Sequence, residues 1–240
     1  MNYNDYEINL SQRERELEAS AAMPVLMRKV YVWMTLALAI TGFTAYAVAD
    51  IPNLQEAILL NNWIYWGLII AEFGLVMAIT AGINRLSLTA ATLLFVLYSV
   101  INGATLSVIF VAYSIGSIGT VFMITAGTFA VMAFIGYTTK ADLSKMGKIL
   151  LMALIGMIIA TLVNVFFVKN GMFDLVLSYI GVLIFVGLTA YDTQKIKLML
   201  MQAGDTSEGS QKVALIGALS LYLDFINLFL YLLRIFGRRD

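Results

Sequence analysis

LSLYLDFINLFLYLLRIF, residues 219–236, is long and apolar enough to cross a bilayer, yet it carries Asp224 in its middle and Arg234 near its end. A bilayer core takes about 20 helical residues. A charged side chain at mid-helix costs roughly 2.5–3.5 kcal/mol on insertion scales, so such residues normally face a bundle interior or water. Set on a helix at about 100° per residue, Gly217, Ser220, Asp224, Asn227, Tyr231 and Arg234 fall within an arc of about 100°. The remaining positions are almost wholly apolar. This pattern predicts a helix at the centre of a bundle, with Ser220, Asn227 and Tyr231 as pore-lining candidates beside the two charges.

The rest of the chain supplies the bundle. Its 240 residues are 61% apolar and 12% charged, with a mean hydropathy of +0.88, which leaves too little polar surface to cover a soluble globule. Apolar runs at 30–49, 63–83, 88–111, 117–138, 148–168 and 174–197 join the last run, 213–235, to predict seven membrane-spanning helices. None shows the ten-residue alternating pattern of an outer-membrane barrel, and lipid leaves only helices or closed barrels. The expected fold is therefore an all-α integral membrane bundle with the last helix at its centre. Residues 1–27 form a polar segment, amphipathic or frayed; 28–237 form the membrane domain; and 238–240 form a short charged tail. AYAVA at 45–49 has the small-residue spacing of a signal-peptidase site, but the long, Glu-rich region before it favours an uncleaved helix. Both prolines fall before or between the expected helices, and 50–62 and 198–212 are the longest expected loops. Gly103, Gly127, Gly136, Gly156, Gly181 and Gly187 are assigned to close helix contacts in lipid.

Composition also removes several chemistries. The chain has no cysteine and no histidine, so disulfides, haem ligation, the usual zinc sites and a Ser/His intramembrane protease are excluded. Residues 213–235 contain no lysine for a retinal Schiff base. The formal net charge is zero, which gives no support to nucleic-acid binding. With the N-terminus inside, Arg13, Arg15, Arg28, Lys29, Arg85, Lys140, Lys145, Lys148, Lys195, Lys197 and Lys212 lie on the cytoplasmic side. Lys169, Arg238 and Arg239 lie outside, so the positive-inside rule supports a cytoplasmic N-terminus. The tail arginines dissent, and a six-crossing arrangement with a re-entrant last segment is the alternative.

Three acids sit within predicted crossings: Glu72, Asp192 and Asp224. Counted from the cytoplasmic boundary at 1.5 Å per residue, the two aspartates lie at depths of about 12 and 17 Å, roughly one turn apart. If their helices face each other the carboxyls can meet, and in a dry site two such groups do not both ionise cheaply, so a proton is shared. When both do ionise, Ca²⁺, a hard cation suited to oxygen ligands, is a natural transient occupant. Glu72 and Arg234 form a second expected pair, because an arginine near the outer end can reach along its stem to a carboxylate. Snorkelling of Arg234 to headgroups is the plainer alternative.

GLTAYDTQKIK (187–197) and ALSLYLDFINLFLYLLRIFG (218–237) resemble the two C-terminal signatures of the Bax inhibitor-1, or transmembrane BAX inhibitor motif, family, and its bacterial branch in particular. TTKADLSKMGK (138–148) after the fourth crossing, the seven crossings and the polar N-terminus are similar to that family too. The resemblance implies a last helix wrapped by six others and a pH-sensitive calcium leak. It implies Asp192 and Asp224 as the paired-aspartate proton sensor, and Glu72 with Arg234 as a latch of the second helix over the pore. Bacterial relatives can carry a basic cluster at the inner end of that helix, whereas here Ile83, Asn84 and Arg85 leave one cation.

The expected activity is thus a non-enzymatic calcium leak in a bacterial cytoplasmic membrane. It has no cofactor, with lipid, protons and Ca²⁺ as partners and a monomer as the unit. A regulator that binds a membrane protease or a cell-death factor is the alternative. An intramembrane aspartyl protease is the weaker one: Tyr191-Asp192 matches such enzymes, but Leu221-Tyr222-Leu223-Asp224 replaces their Gly-x-Gly-Asp.

Overall fold

The computed structural model describes residues 3–238. In chain order the helices are α1 (Tyr3–Ala49), α2 (Pro52–Leu60), α3 (Asn62–Gly82), α4 (Leu88–Leu106), α5 (Ile109–Ala112), α6 (Ile115–Thr138), α7 (Ser144–Val163), α8 (Gly171–Ala203) and α9 (Glu208–Phe236), and a π-helical turn, Asn164–Val168, extends α7. The described residues contain no strand. Seven of the helical spans are long and apolar enough to cross a membrane, as the hydropathy pattern requires.

The expected loop 50–62 is filled mostly by α2, which Pro52 opens, and three further expectations about the helices are corrected. Pro24 lies inside α1, which runs unbroken from the polar N-terminal segment into the first crossing. A proline there removes the hydrogen bond to the carbonyl of residue 20, in a turn where Ser20 is exposed. The expected loop 198–212 shrinks to residues 204–207. Gly204, at φ +76°, ends α8 in the left-handed conformation that glycine tolerates without a Cβ clash. The Ser207 hydroxyl then accepts from Ser210 N to cap α9. Asp205 ties this turn together by accepting from the Ser210 and Ser207 hydroxyls and from Ser207 N, and these donors hold its carboxyl below the ordinary value of 3.8. The third correction concerns the wall around α9. Its main neighbours are α8, α1, α6 and α4, while α3 packs on α4 and α7 on α8, so four helices rather than six enclose it directly.

The central position of α9 follows from what it buries. Leu215, Leu219, Leu221, Tyr222, Leu228 and Leu233 are fully buried, and Phe225 and Phe229 meet Phe122 and Phe129 of α6 edge-on or tilted. At 29 residues the helix is about 44 Å long and has no re-entrant break. Its end is tied to the start of α6: Arg238 N donates to Ser117 Oγ at 2.9 Å, and Ser114 N donates to the Arg238 carbonyl at 3.4 Å. Arg239 and Asp240 lie outside the described residues.

Glycines set the closest approaches, though not all those expected. A Cβ on Gly103 would lie 2.6 Å from the Thr41 carbonyl oxygen, so α4 meets α1 backbone to backbone. Gly136 meets the backbone of Ala190, Gly181 lies under the Tyr231 ring and Gly187 under Leu150. Gly127 and Gly156 have nothing within 4 Å and pack against no neighbour, because their faces of α6 and α7 point away from the bundle. Gly103→Ala should therefore cost about 1–3 kcal/mol, the usual penalty for overpacking. The measurement is the thermal unfolding midpoint in detergent, with Gly127→Ala expected to leave that midpoint unchanged or slightly raised. Equal losses in both variants would contradict the packing described here.

Candidate functional site

The segment around Asp192 is held from three sides. Gly136 of α6 lies against Ala190, and Gly147 at the start of α7 lies under the Tyr191 ring, so both helices press on α8 beside the aspartate. One turn of α8 then straps down the α6–α7 connection. Gln194 accepts from Leu143 N at 2.9 Å and donates to the Ala141 carbonyl at 2.8 Å. Lys197 donates to the Tyr137 carbonyl at 2.9 Å with its ammonium 4.9 Å from the Tyr137 ring centroid. The motif YDTQKIK thus combines an acid with the side chains that fix the loop next to it.

Asp224 faces this segment from α9, across the most extensive helix contact in the protein. It is 5% exposed, and its Oδ2 is buried without a hydrogen-bond partner. Asp192 is close enough to act on it electrostatically, and Lys195, one turn along α8, acts on both carboxyls. The cation beside the pair is thus supplied by α8 itself. No hydrogen bond joins the two aspartates among the described residues.

The other expected residues divide. Ser220, Asn227 and Tyr231 are half-buried along the polar face of α9. The Asn227 amide turns back onto its own helix, donating to the Leu223 carbonyl at 2.8 Å. Tyr231 packs on α8, stacked on Phe185 with ring centroids 5.9 Å apart. Arg234 pairs with Asp174 in the first turn of α8, Nη1 to Oδ1 at 3.1 Å, and lies over the Tyr231 ring. The expected partner, Glu72, instead accepts from Asn102 Nδ2 of α4 at 3.1 Å. The reason is the packing order: α3 lies on α4, and α8 is the helix that runs beside the end of α9.

A second polar cluster escaped the sequence reading because it contains only one charge. Asn102 Oδ1 accepts from the Tyr222 hydroxyl at 2.9 Å, Tyr222 lies 2.6 Å from the Thr41 hydroxyl, and Thr41 donates to the Ser99 carbonyl at 2.9 Å. Tyr222 is fully buried, and Phe95 and Tyr98 meet its ring edge-on. The available signal was Asn102 and Tyr222 themselves, neutral polar groups at mid-crossing that must find partners in lipid.

The fold and the buried acids define a multi-pass helical membrane protein with a titratable interior. Comparison with known proteins gives the particular family. The model of the family described as Inhibitor of apoptosis-promoting Bax1 matches residues 23–240, and the chain belongs to that family. It is 48% identical to the inner membrane protein YbhL of Escherichia coli K12 over 225 residues, 93% of this chain and 95% of that one. An uncharacterized protein of Borreliella burgdorferi is 45% identical over 97% of this chain and 98% of its own length. An uncharacterized membrane protein of Streptococcus pyogenes is 40% identical over 88% and 92%.

A double-mutant cycle at neutral pH checks the ion-pair assignment. Asp174→Asn and Arg234→Gln should show a coupling of up to about 1 kcal/mol, as expected for a part-exposed pair. Glu72→Gln and Arg234→Gln should be additive in the same unfolding assay. Coupling to Glu72 in place of Asp174 would contradict the pairing.

Proposed function

We propose that the protein is a pH-sensitive cation leak of a bacterial cytoplasmic membrane, with its N-terminus inside, in which Asp192 and Asp224 are both proton sensor and transient calcium ligands. The observation that carries this reading is the buried Asp224 carboxyl with an unpartnered oxygen, within electrostatic reach of the Asp192 carboxyl across the α8–α9 contact. An orphaned acceptor in a dry site is costly, and a proton or a passing cation removes that cost. Two carboxylates so placed repel each other when both are ionised and share a proton when one is not. Lys195 sets the field in which they titrate, in the role that a basic group at the inner end of α3 could otherwise take. Calcium as the cargo rests on the family resemblance and on the preference of hard divalent cations for carboxylate oxygen.

The polar face of α9 supplies the path beyond the pair, through Ser220 and Asn227 to Tyr231. Arg234 closes its far end. In the state described Arg234 is held by Asp174, so the Glu72/Arg234 latch belongs to another state, reached when the arginine leaves Asp174 and α3 moves over the end of α9.

Reconstitution into liposomes with a trapped calcium dye tests the reading. The wild-type protein should give a leak whose rate changes with pH, and Asp192→Asn or Asp224→Asn should flatten that change at least several-fold. Unaltered pH dependence in both variants would remove the sensor, and a leak no faster than from empty liposomes would remove the transport function.

A further inference from the structure

We propose that Glu72 is a second proton-binding site: as a neutral carboxylic acid it donates to Asn102 and heads a hydrogen-bond chain that ties α9 to α1. The chain runs Glu72, Asn102, Tyr222, Thr41 and the Ser99 carbonyl, through α3, α4, α9, α1 and back to α4, and four hydrogen-bond contacts join its members. Each contact needs one proton. Tyr222 and Thr41 carry one hydroxyl proton each. The Asn102 amide bonds Glu72 through one end and Tyr222 through the other, so it can donate along the chain only once.

With Glu72 ionised, these three groups supply three protons for four contacts. Either the 2.6 Å contact between Tyr222 and Thr41 or the 2.9 Å contact between Thr41 and Ser99 O is left as two oxygens facing each other. With Glu72 protonated, the count closes. The acid O–H donates to Asn102 Oδ1, Asn102 Nδ2 donates to Tyr222 Oη, Tyr222 donates to Thr41 Oγ1, and Thr41 donates to Ser99 O. The two ends of an Asn amide have nearly the same shape and are told apart by their partners, so the complete chain needs only the amide turned over.

The surroundings favour the neutral acid. The titratable groups that face Glu72 are phenols: Tyr65 from its own helix, Tyr98 from α4 and Tyr222 from α9. Thr105 of α4 also faces it, but with its proton on the Ile101 carbonyl at 3.2 Å. Among the described residues no lysine or arginine pairs with Glu72, and its Oε1 is buried without a partner. An ionised carboxylate so placed would lack both a counter-charge and a full set of donors, which is the costly way to bury an acid.

This site lies on the face of α9 opposite Asp224, since Tyr222 and Asp224 are two residues apart and so about 200° apart around the helix. α9 is thus held by a proton on each of two faces. Loss of the Glu72 proton strips one contact from the chain at Thr41, to Tyr222 of α9 or to Ser99 of α4, so rising pH weakens the tie that holds α9 through α1 on the side away from the aspartates.

Infrared spectroscopy of the full-length protein in lipid tests this, with the glutamate carboxyls alone isotopically labelled so that Asp192 and Asp224 do not contribute to the shifted band. At neutral pH the labelled sample should show a protonated-carboxyl C=O band. Glu72→Gln should abolish it. Asn102→Leu, which removes the acceptor, should move it to the higher frequency of a weakly bonded acid, and Tyr222→Phe should move it less. If Glu72→Gln folds poorly, loss of the wild-type band on a jump to alkaline pH gives the same readout. Absence of a labelled protonated-carboxyl band at neutral pH, or a band indifferent to Asn102→Leu, would overturn the proposal whatever the leak assay shows.

Discussion

Inside a bilayer the polar side chains of α9 have no bulk water to turn to, and the packing of the whole bundle answers to that constraint. An unpaired polar group in hydrocarbon costs several kcal/mol, and three of the four helices packed on α9 bring it a polar partner or a cation. α8 brings Asp192 and Lys195 to Asp224, and Asp174 to Arg234. α4 brings Asn102, and α1 brings Thr41, to Tyr222. α6 brings mainly aromatic rings and leaves the polar exchange to its neighbours. The close approach of α4 to α1 at Gly103 belongs to the same solution, because it brings Thr41 within reach of both Ser99 and Tyr222.

Much of this was legible in the sequence, for a physical reason: a run of about 20 apolar residues is a strong signal, and a one-sided polar stripe on a helix is another. The seven crossings and the central place of α9 follow from length and periodicity. The azimuth of each helix does not follow. Depth alone placed Glu72 within conceivable reach of Arg234, but which helix flanks the end of α9 depends on packing order, and that put Asp174 there. For the same reason Gly127 and Gly156 looked like packing residues while facing outward. Pro24 inside α1 was hidden because a proline in a helix interior removes a backbone hydrogen bond and crowds the preceding turn, which makes it read as a boundary, whereas here the helix runs on through it.

The neutral cluster around Tyr222 was missed through attention to charge. A membrane-embedded asparagine or tyrosine is nearly as constrained as an aspartate once its donors and acceptors are counted. Here the count implicates a glutamate that the ion-pair reading had assigned elsewhere. The two proposals together would give α9 two separate responses to pH, one through repulsion and cation occupancy across α8, the other through the integrity of a hydrogen-bond chain to α1.

The central claim is that the polar face of α9 lines the route past the aspartate pair. The chain contains no cysteine, so single cysteines can be read without background. Ser220→Cys and Asn227→Cys, treated with a water-soluble cationic thiol reagent in liposomes, should react several-fold faster at a pH where the leak is fast than where it is slow, while Leu215→Cys on the opposite, fully buried face should stay unreactive at both. Equal reactivity at all three positions, or stripe cysteines whose reaction rate ignores the leak, would contradict the account.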